Sequence, residues 1–226
     1  PVAPTLRLSD RDFRSALQLR LGLLEVLSAA IGLTCGCKRK LCETDAEHAL
    51  LCKLLSGAFT LRHDILVGFW CRAASRAGIA SSKEPVLRQL QRQEHAARRR
   101  ARGDGQRGDA LFVLHEGVLV IDVSVVHPAA ETYVQDAANT VGAAAAARVA
   151  RKVEKYSCGQ AGGGYDFEPV IVETYGRLGE PAFELLARLA RVAAESGKVD
   201  EGKFIENTLK EMSVALCRGN GSILAA

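Results

Sequence analysis

The stretch RGDALFVLHEGVLVIDVSVV, Arg107 to Val126, sets one carboxylate at the head of an apolar run and a second inside another. DALFVL and VLVIDVSVV are dense in large apolar and β-branched residues, and His115-Glu116-Gly117 between them has hairpin-turn chemistry. Such continuous runs predict central strands covered on both faces. With the turn centred near Glu116, residues whose numbers sum to about twice that value oppose each other, and Asp109 and Asp122 meet the condition. Opposed residues share a side of the sheet, with Cβ atoms about 5 Å apart. Two carboxylates that close repel, so one is protonated unless they share a cation. A Mg²⁺ or Mn²⁺ ion, which takes carboxylate oxygens and water, would reconcile them. The plainer alternative makes Asp109 an exposed loop end and Asp122 a lone structural residue.

The rest of the chain frames this hairpin with helices. LSDRDFRSALQLRLGLLEVLSAA has a Ser9/Asp10 cap signal and helical spacing, and predicts a helix or two. A helical region from Ala46 through HALLCKLL breaks near Ser56-Gly57 and resumes to Gly78, and Pro85 interrupts the pattern that follows. ETYVQDAANTVGAAAAARVARKVEKYS has few breakers and predicts one long helix. FEPVIVETYG reads as a strand, and PAFELLARLARVAAES and FIENTLKEMSVALCRGNG read as helices. The expectation is an α/β fold with a mixed sheet between helices.

Composition limits the class. A chain of 226 residues, 48% hydrophobic and 25% charged, can bury a core, and no apolar stretch approaches the roughly 18 residues of a membrane span. A soluble protein with no membrane association is expected. The first residues carry no signal-peptide pattern and read as continuing from a longer protein. Net charge is only +4, but RQEHAARRRARGDGQR gathers six arginines without apolar periodicity. That segment, with Arg98, Arg99 and Arg100 at its centre, suits either a solvated loop or a phosphate-binding arm.

Seven cysteines, four of them at positions 35, 37, 42 and 52, suit a reduced compartment and a metal better than a disulfide framework. His48 and Cys52 stand four apart and share a helical face, onto which the loop TCGCKRKLC can fold back. Zinc wants four such ligands in a tetrahedron. Cys35 and Cys37 with His48 and Cys52, or Cys37 and Cys42 with the same pair, both satisfy it. Cys71, Cys158 and Cys217 are expected to be packed thiols.

An acid at the start of one strand and a second thirteen residues on, with a hairpin between, resembles the PD-(D/E)XK restriction-like nucleases. Gly108-Asp109 stands for Pro-Asp and Asp122-Val123-Ser124 for the acid-x-Lys, with Ser124 in the lysine's place. Lysines instead occupy the following helix, in KVEKYS. That relocated pattern resembles the restriction-like endonuclease domain of site-specific non-LTR retrotransposons. The motif order is the Cys35 to Cys52 knuckle, Arg62-His63-Asp64, Arg107-Gly108-Asp109, Asp122, and Lys152 to Tyr156. EHALLCK, KEP at Lys83 to Pro85, FEPVIVETYG and VALCRGN extend the likeness over most of the chain. Departures are Asp64 for Asn and Gly108 for Pro.

The resemblance implies a restriction-endonuclease-like fold at residues 57–226, preceded by a helical and zinc-knuckle module at 1–56 that uses Cys35, Cys37, His48 and Cys52. It implies nicking of DNA for target-primed retrotransposition, in the nucleus. Asp109 and Asp122 would hold Mg²⁺ or Mn²⁺. Lys152 or Lys155 would orient water or stabilise the transition state, Tyr156 would assist, and Glu84 would add a carboxylate. Arg62, His63, Arg98, Arg99 and Arg100 would contact nucleic acid. Glu173, in an apolar strand, is a weaker candidate for the same site. Expected partners are DNA and an upstream reverse transcriptase domain of the same polyprotein, with RNA binding and dimerisation compatible. The competing readings are a nucleic-acid-binding module that has lost catalysis, and a structural protein whose cysteines and aspartates only hold the fold.

Overall fold

A computed structural model describes residues 6–23, 32–40, 47–87, 107–160, 164–197 and 199–225. Cys42 and the arginines at 98, 99 and 100 lie outside them. The described elements are α1 (Asp10–Leu21), α2 (Ser56–Ala77), β1 (Ala80–Lys83), β2 (Ala110–Leu114), β3 (Gly117–Val126), α3 (Val134–Asn139), α4 (Ala143–Gln160), β4 (Asp166–Glu173), α5 (Glu180–Glu195) and α6 (Glu201–Leu224). The four strands form one mixed sheet in the order β1-β2-β3-β4, antiparallel except for the β3–β4 pair. No helix among the described residues is long and apolar enough to cross a membrane.

Period-two alternation sorts the strand residues onto two faces. Phe112, Ile121, Val170 and Val172 point to one side, into a core with Leu66, Phe69 and Trp70 of α2, Leu185 and Leu189 of α5, and Leu216 of α6. On the opposite face Val126 and Ile171 pack on Ala144 and Ala145 of α4, while Val120 and Leu87 pack on Tyr156 and Tyr165. Asp122, two residues from Val120, belongs to this second face. The helices therefore flank the sheet, and α4 lies across the strand that carries Asp122.

Coverage on both faces holds for β3 but not for β2, where Val113 is 52% exposed. α4 reaches only the β3–β4 half of the second face, which corrects the expectation for the first apolar run. The exposed edge strand β1, ASSK, lacks the apolar signal that sequence reading needs, and all four of its residues are exposed.

The single long helix expected after His127-Pro128 is two. Thr140 is extended and Gly142 has φ +83°, and a Cβ at 142 would stand 2.7 Å from Arg177 Nε. The chain restarts as α4 against a carboxylate: Glu173 at the end of β4, itself buried, accepts a hydrogen bond from Ala145 N at 3.3 Å. A negative charge at a helix N-terminus is favourable, so Glu173 serves α4.

The HALLCKLL segment is also corrected. It forms two short 3₁₀ turns, His48–Leu50 and Lys53–Leu55, and Ser56 begins α2 instead of breaking a helix. Leu50 packs with Leu19 of α1 and Ile223 of α6, so the knuckle region rests on both.

Candidate active site and metal centre

The β2–β3 register ends with Ala110 paired to Ile121, and Asp109, the residue before β2, donates its N–H to the Ile121 carbonyl at 2.9 Å, next to Asp122. Gly108 lets the chain enter that position, because a Cβ there would lie 2.3 Å from Val120 Cγ1. Close approach to β3 therefore explains the glycine at 108. Asp109 Oδ2 accepts a hydrogen bond from Val123 N at 2.6 Å, substituting for a backbone carbonyl at the end of the ladder, and lies 3.0 Å from His63 Nε2 on α2. Asp122, 4% exposed, accepts a hydrogen bond from the Tyr156 hydroxyl at 2.6 Å, and its second oxygen forms an ion pair with Lys152 of α4. The sequence reading expects one acid to be protonated unless the two share a cation. The fold corrects this, since each acid has its own cation, supplied by a different helix.

The electrostatics follow from these contacts. The hydrogen bond to Asp109, with Asp64 adding to it, raises the His63 pKa to about 9, so His63 is an imidazolium at neutral pH. Burial, with the Asp122 carboxylate next, pushes the Tyr156 pKa far above its usual value, so the phenol stays a neutral donor. Its ring stacks on Phe167 with centroids 4.1 Å apart.

The two candidate lysines separate. Lys152 meets Asp122, whereas Lys155 is exposed, with its ammonium 4.9 Å from the Tyr156 ring centroid. Ser124 is buried one step along β3 from Asp122, and no lysine stands on that strand. Glu84 reaches Asp109 only through its backbone, donating N–H to the Asp109 carbonyl at 3.0 Å; its carboxylate is exposed and pairs with Arg107 at 3.3 Å.

Arg62, a nucleic-acid candidate in the sequence, is 7% exposed and donates to Asn220 Oδ1 at 3.0 Å. Desolvation lowers its pKa to about 10, so it still carries its charge at neutral pH. Asn220 Nδ2 in turn donates to the Thr174 carbonyl at 2.9 Å. His127 Nδ1 lies 2.7 Å from Thr174 Oγ1, and its Nε2 lies 3.0 Å from Glu47, which also accepts from the Tyr175 hydroxyl. Burial works to raise the Glu47 pKa, but the bonds from His127 and Tyr175 hold it below the usual value. Sequence reading gave none of Glu47, His127, Tyr175 or Asn220 a role. The available signal was the set of polar residues inside EHALLCK, FEPVIVETYG and VALCRGN, but their partnership depends on tertiary contacts.

Next to Glu47 stands the Cys/His cluster. Ligand atoms of Cys35, Cys37, His48 and Cys52 all lie within 4.8 Å of one another, so the group can hold a metal such as zinc. The Cys35–Cys52 sulfur separation is 3.7 Å, and Cys37 Sγ lies 3.4 Å from His48 Nε2. A zinc tetrahedron with bonds of about 2.3 Å to sulfur and 2.0–2.1 Å to nitrogen has edges of about 3.8 and 3.5 Å. The donors therefore stand at zinc-ligand spacing. The Cys37 N–H, with His48 and the Cys37 thiol, lowers the Cys35 pKa to about 6, while burial raises that of Cys52.

Asp109 and Asp122 are carboxylates of the type that Mg²⁺ or Mn²⁺ takes, although both Asp122 oxygens already have partners, Tyr156 on one and Lys152 on the other. Protein-family models and curated proteins yield no match to this chain.

Proposed function

We propose that this chain is a divalent-metal-dependent endodeoxyribonuclease of restriction-like fold, preceded by a structural zinc knuckle, that nicks DNA for retrotransposition. The observation that carries the reading is Asp109 at the head of β2, bonded to β3 on both sides of Asp122, with Lys152 delivered to Asp122 from α4. Asp109 and Asp122 are the residues to hold Mg²⁺ or Mn²⁺. A cation bound there supplies Lewis-acid activation of water and neutralises charge on the scissile phosphate.

The chain's own groups complete the site. Lys152 carries a positive charge to the reacting phosphate, an electrostatic role worth a few kcal/mol. Tyr156 fixes the orientation of the Asp122 carboxylate through its hydroxyl. The His63 imidazolium holds Asp109 and adds a second positive charge facing the phosphate. The arginine-rich segment at 92–107 and the knuckle grip the DNA backbone, giving salt-sensitive binding with little base discrimination. In this reading the chain works in the nucleus with an upstream reverse transcriptase domain.

One observation favours a second reading, a nucleic-acid-binding module without catalysis: each acid is already neutralised by a protein cation. A nicking assay on supercoiled plasmid separates the two readings. The nuclease reading expects Mg²⁺- or Mn²⁺-dependent nicks by the wild type, abolished by EDTA and by Asp109→Ala and Asp122→Ala with DNA binding retained. Gel shifts with no metal-dependent product would overturn it in favour of binding alone.

A further inference from the structure

A cleft of about 560 Å³ opens beside the acid pair, between α2, the far half of β3 and α4. That size falls within the range of small-ligand sites. Arg148, Lys53 and His63 line it, and no carboxylate does among the described residues. Two other clefts are electrostatically mixed, one with Arg188 and Arg191 against Glu116 and Glu195, the other with Arg177 against Glu180 and Glu184. A lining that holds Arg148 and Lys53 and no carboxylate singles out the first.

Arg148 adds an independent signal. Its Nε is buried without a hydrogen-bond partner among the described residues. A buried guanidinium N–H left unsatisfied costs free energy that an anionic ligand would recover. Arg148 also stands four residues before Lys152, on the same face of α4, so the two cations form a row leading from Asp122 into the cleft. Arg62 also lines the cleft, but its guanidinium is buried and donates to Asn220. The remaining lining is mostly apolar and includes Tyr133 and Leu51, with His127 and the small Ser124 as its polar members.

We propose that this cleft is a nucleotide subsite, which seats the nucleotide next to the scissile phosphate, with that nucleotide's phosphate on Arg148 and its sugar and base against Tyr133. The assignment rests on the nuclease reading for its adjacency to a scissile phosphate and on the cleft itself for nucleotide binding. A row of cations at one-turn spacing, continuous with the acid pair and walled by an aromatic ring, matches the alternating charge and apolar surface of a single strand.

The test measures binding of a labelled single-stranded oligonucleotide by fluorescence anisotropy in EDTA, across a salt series, so that chemistry plays no part. Arg148→Gln is expected to weaken binding about 5- to 20-fold and to reduce the slope of log Kd against log salt by about 0.7, the contribution of one phosphate on a single strand. Arg148→Lys should keep the slope. Arg151→Gln, which removes an exposed arginine of α4 that does not line the cleft, should change little, and thermal melting checks that each variant folds. Wild-type affinity and slope in Arg148→Gln, or an equal loss in Arg151→Gln, overturns the subsite while leaving the nuclease reading intact. A wild type that binds with this Arg148 dependence yet never nicks with Mg²⁺ or Mn²⁺ upholds the subsite and overturns the nuclease. A wild type that binds no nucleic acid overturns both.

Discussion

Lys152, in the middle of α4, forms an ion pair with Asp122, in the middle of β3, and both side chains are largely withdrawn from water. Removing one partner of a buried pair leaves the other charge uncompensated, at a cost of about 3 kcal/mol. Lys152→Met is therefore expected to lower the Tm of metal-free protein by roughly 6–12 °C. If Asp122 also binds Mg²⁺ or Mn²⁺, adding the ion should restore more Tm in the variant than it adds to the wild type. Equal metal shifts in both proteins would speak against Asp122 as a ligand.

Tyr156→Phe removes the hydroxyl that donates to Asp122 but keeps the ring stacked on Phe167. A buried carboxylate oxygen then loses its donor, for an expected loss of about 1–3 kcal/mol in denaturant unfolding. Nicking should fall with little change in DNA affinity. Equal losses in both would reassign Tyr156 to packing.

The Cys/His cluster makes a stoichiometric prediction. Cys35→Ser and Cys52→Ser should each abolish retention of one zinc per chain, while Cys42→Ser should retain it. Metal content by mass spectrometry after desalting decides this, and a chelator should lower the Tm of the wild type but not of Cys52→Ser.

Much of the site was legible because it depends on local rules. The two apolar runs and the turn at Glu116 fix the register within the hairpin, which brings Asp109 to the end of the ladder beside Asp122. The four zinc-type ligands were legible by type and crowding, although the segment carrying His48 and Cys52 is built of 3₁₀ turns and not the expected helix. The resemblance points to Lys152 or Lys155 and to Tyr156 beside the acids, and Lys152 and Tyr156 do meet Asp122, but spacing alone could not choose between the lysines or put His63 on Asp109. His63 and Lys152 arrive from helices 46 and 30 residues away in sequence from their partners, through packing that no spacing encodes. Arg62 looked like its neighbour His63, but the turn of about 100° between consecutive residues of α2 sends one to Asn220 and the other to Asp109. The break before α4 was hidden by the alanine-rich composition, since Gly142 acts through its backbone angle and Arg177.

Glu168 gives a pH prediction. Burial foremost, opposed by Arg188 and reinforced by Glu184, raises its pKa from 4.5 to about 7. The folded state therefore favours the protonated form. This contribution to stability is fully present below pH 4.5 and is lost as pH rises through about 7. Glu168→Gln has no such proton to lose, so its Tm relative to wild type should be more favourable at pH 8 than at pH 4.5. A difference that does not change with pH would remove Glu168 as its source.

Glu47 lies immediately before His48 of the Cys/His cluster, and its carboxylate receives His127 and Tyr175 from the sheet side of the molecule. A shortened protein beginning at residue 57 would delete that acceptor and strand an imidazole that is only 5% exposed. Its loss would open a polar gap at the end of the run that continues through Thr174 and Asn220 to Arg62, one residue before the histidine that faces Asp109. The smallest fragment worth expressing, grafting or exchanging between proteins therefore keeps the knuckle attached.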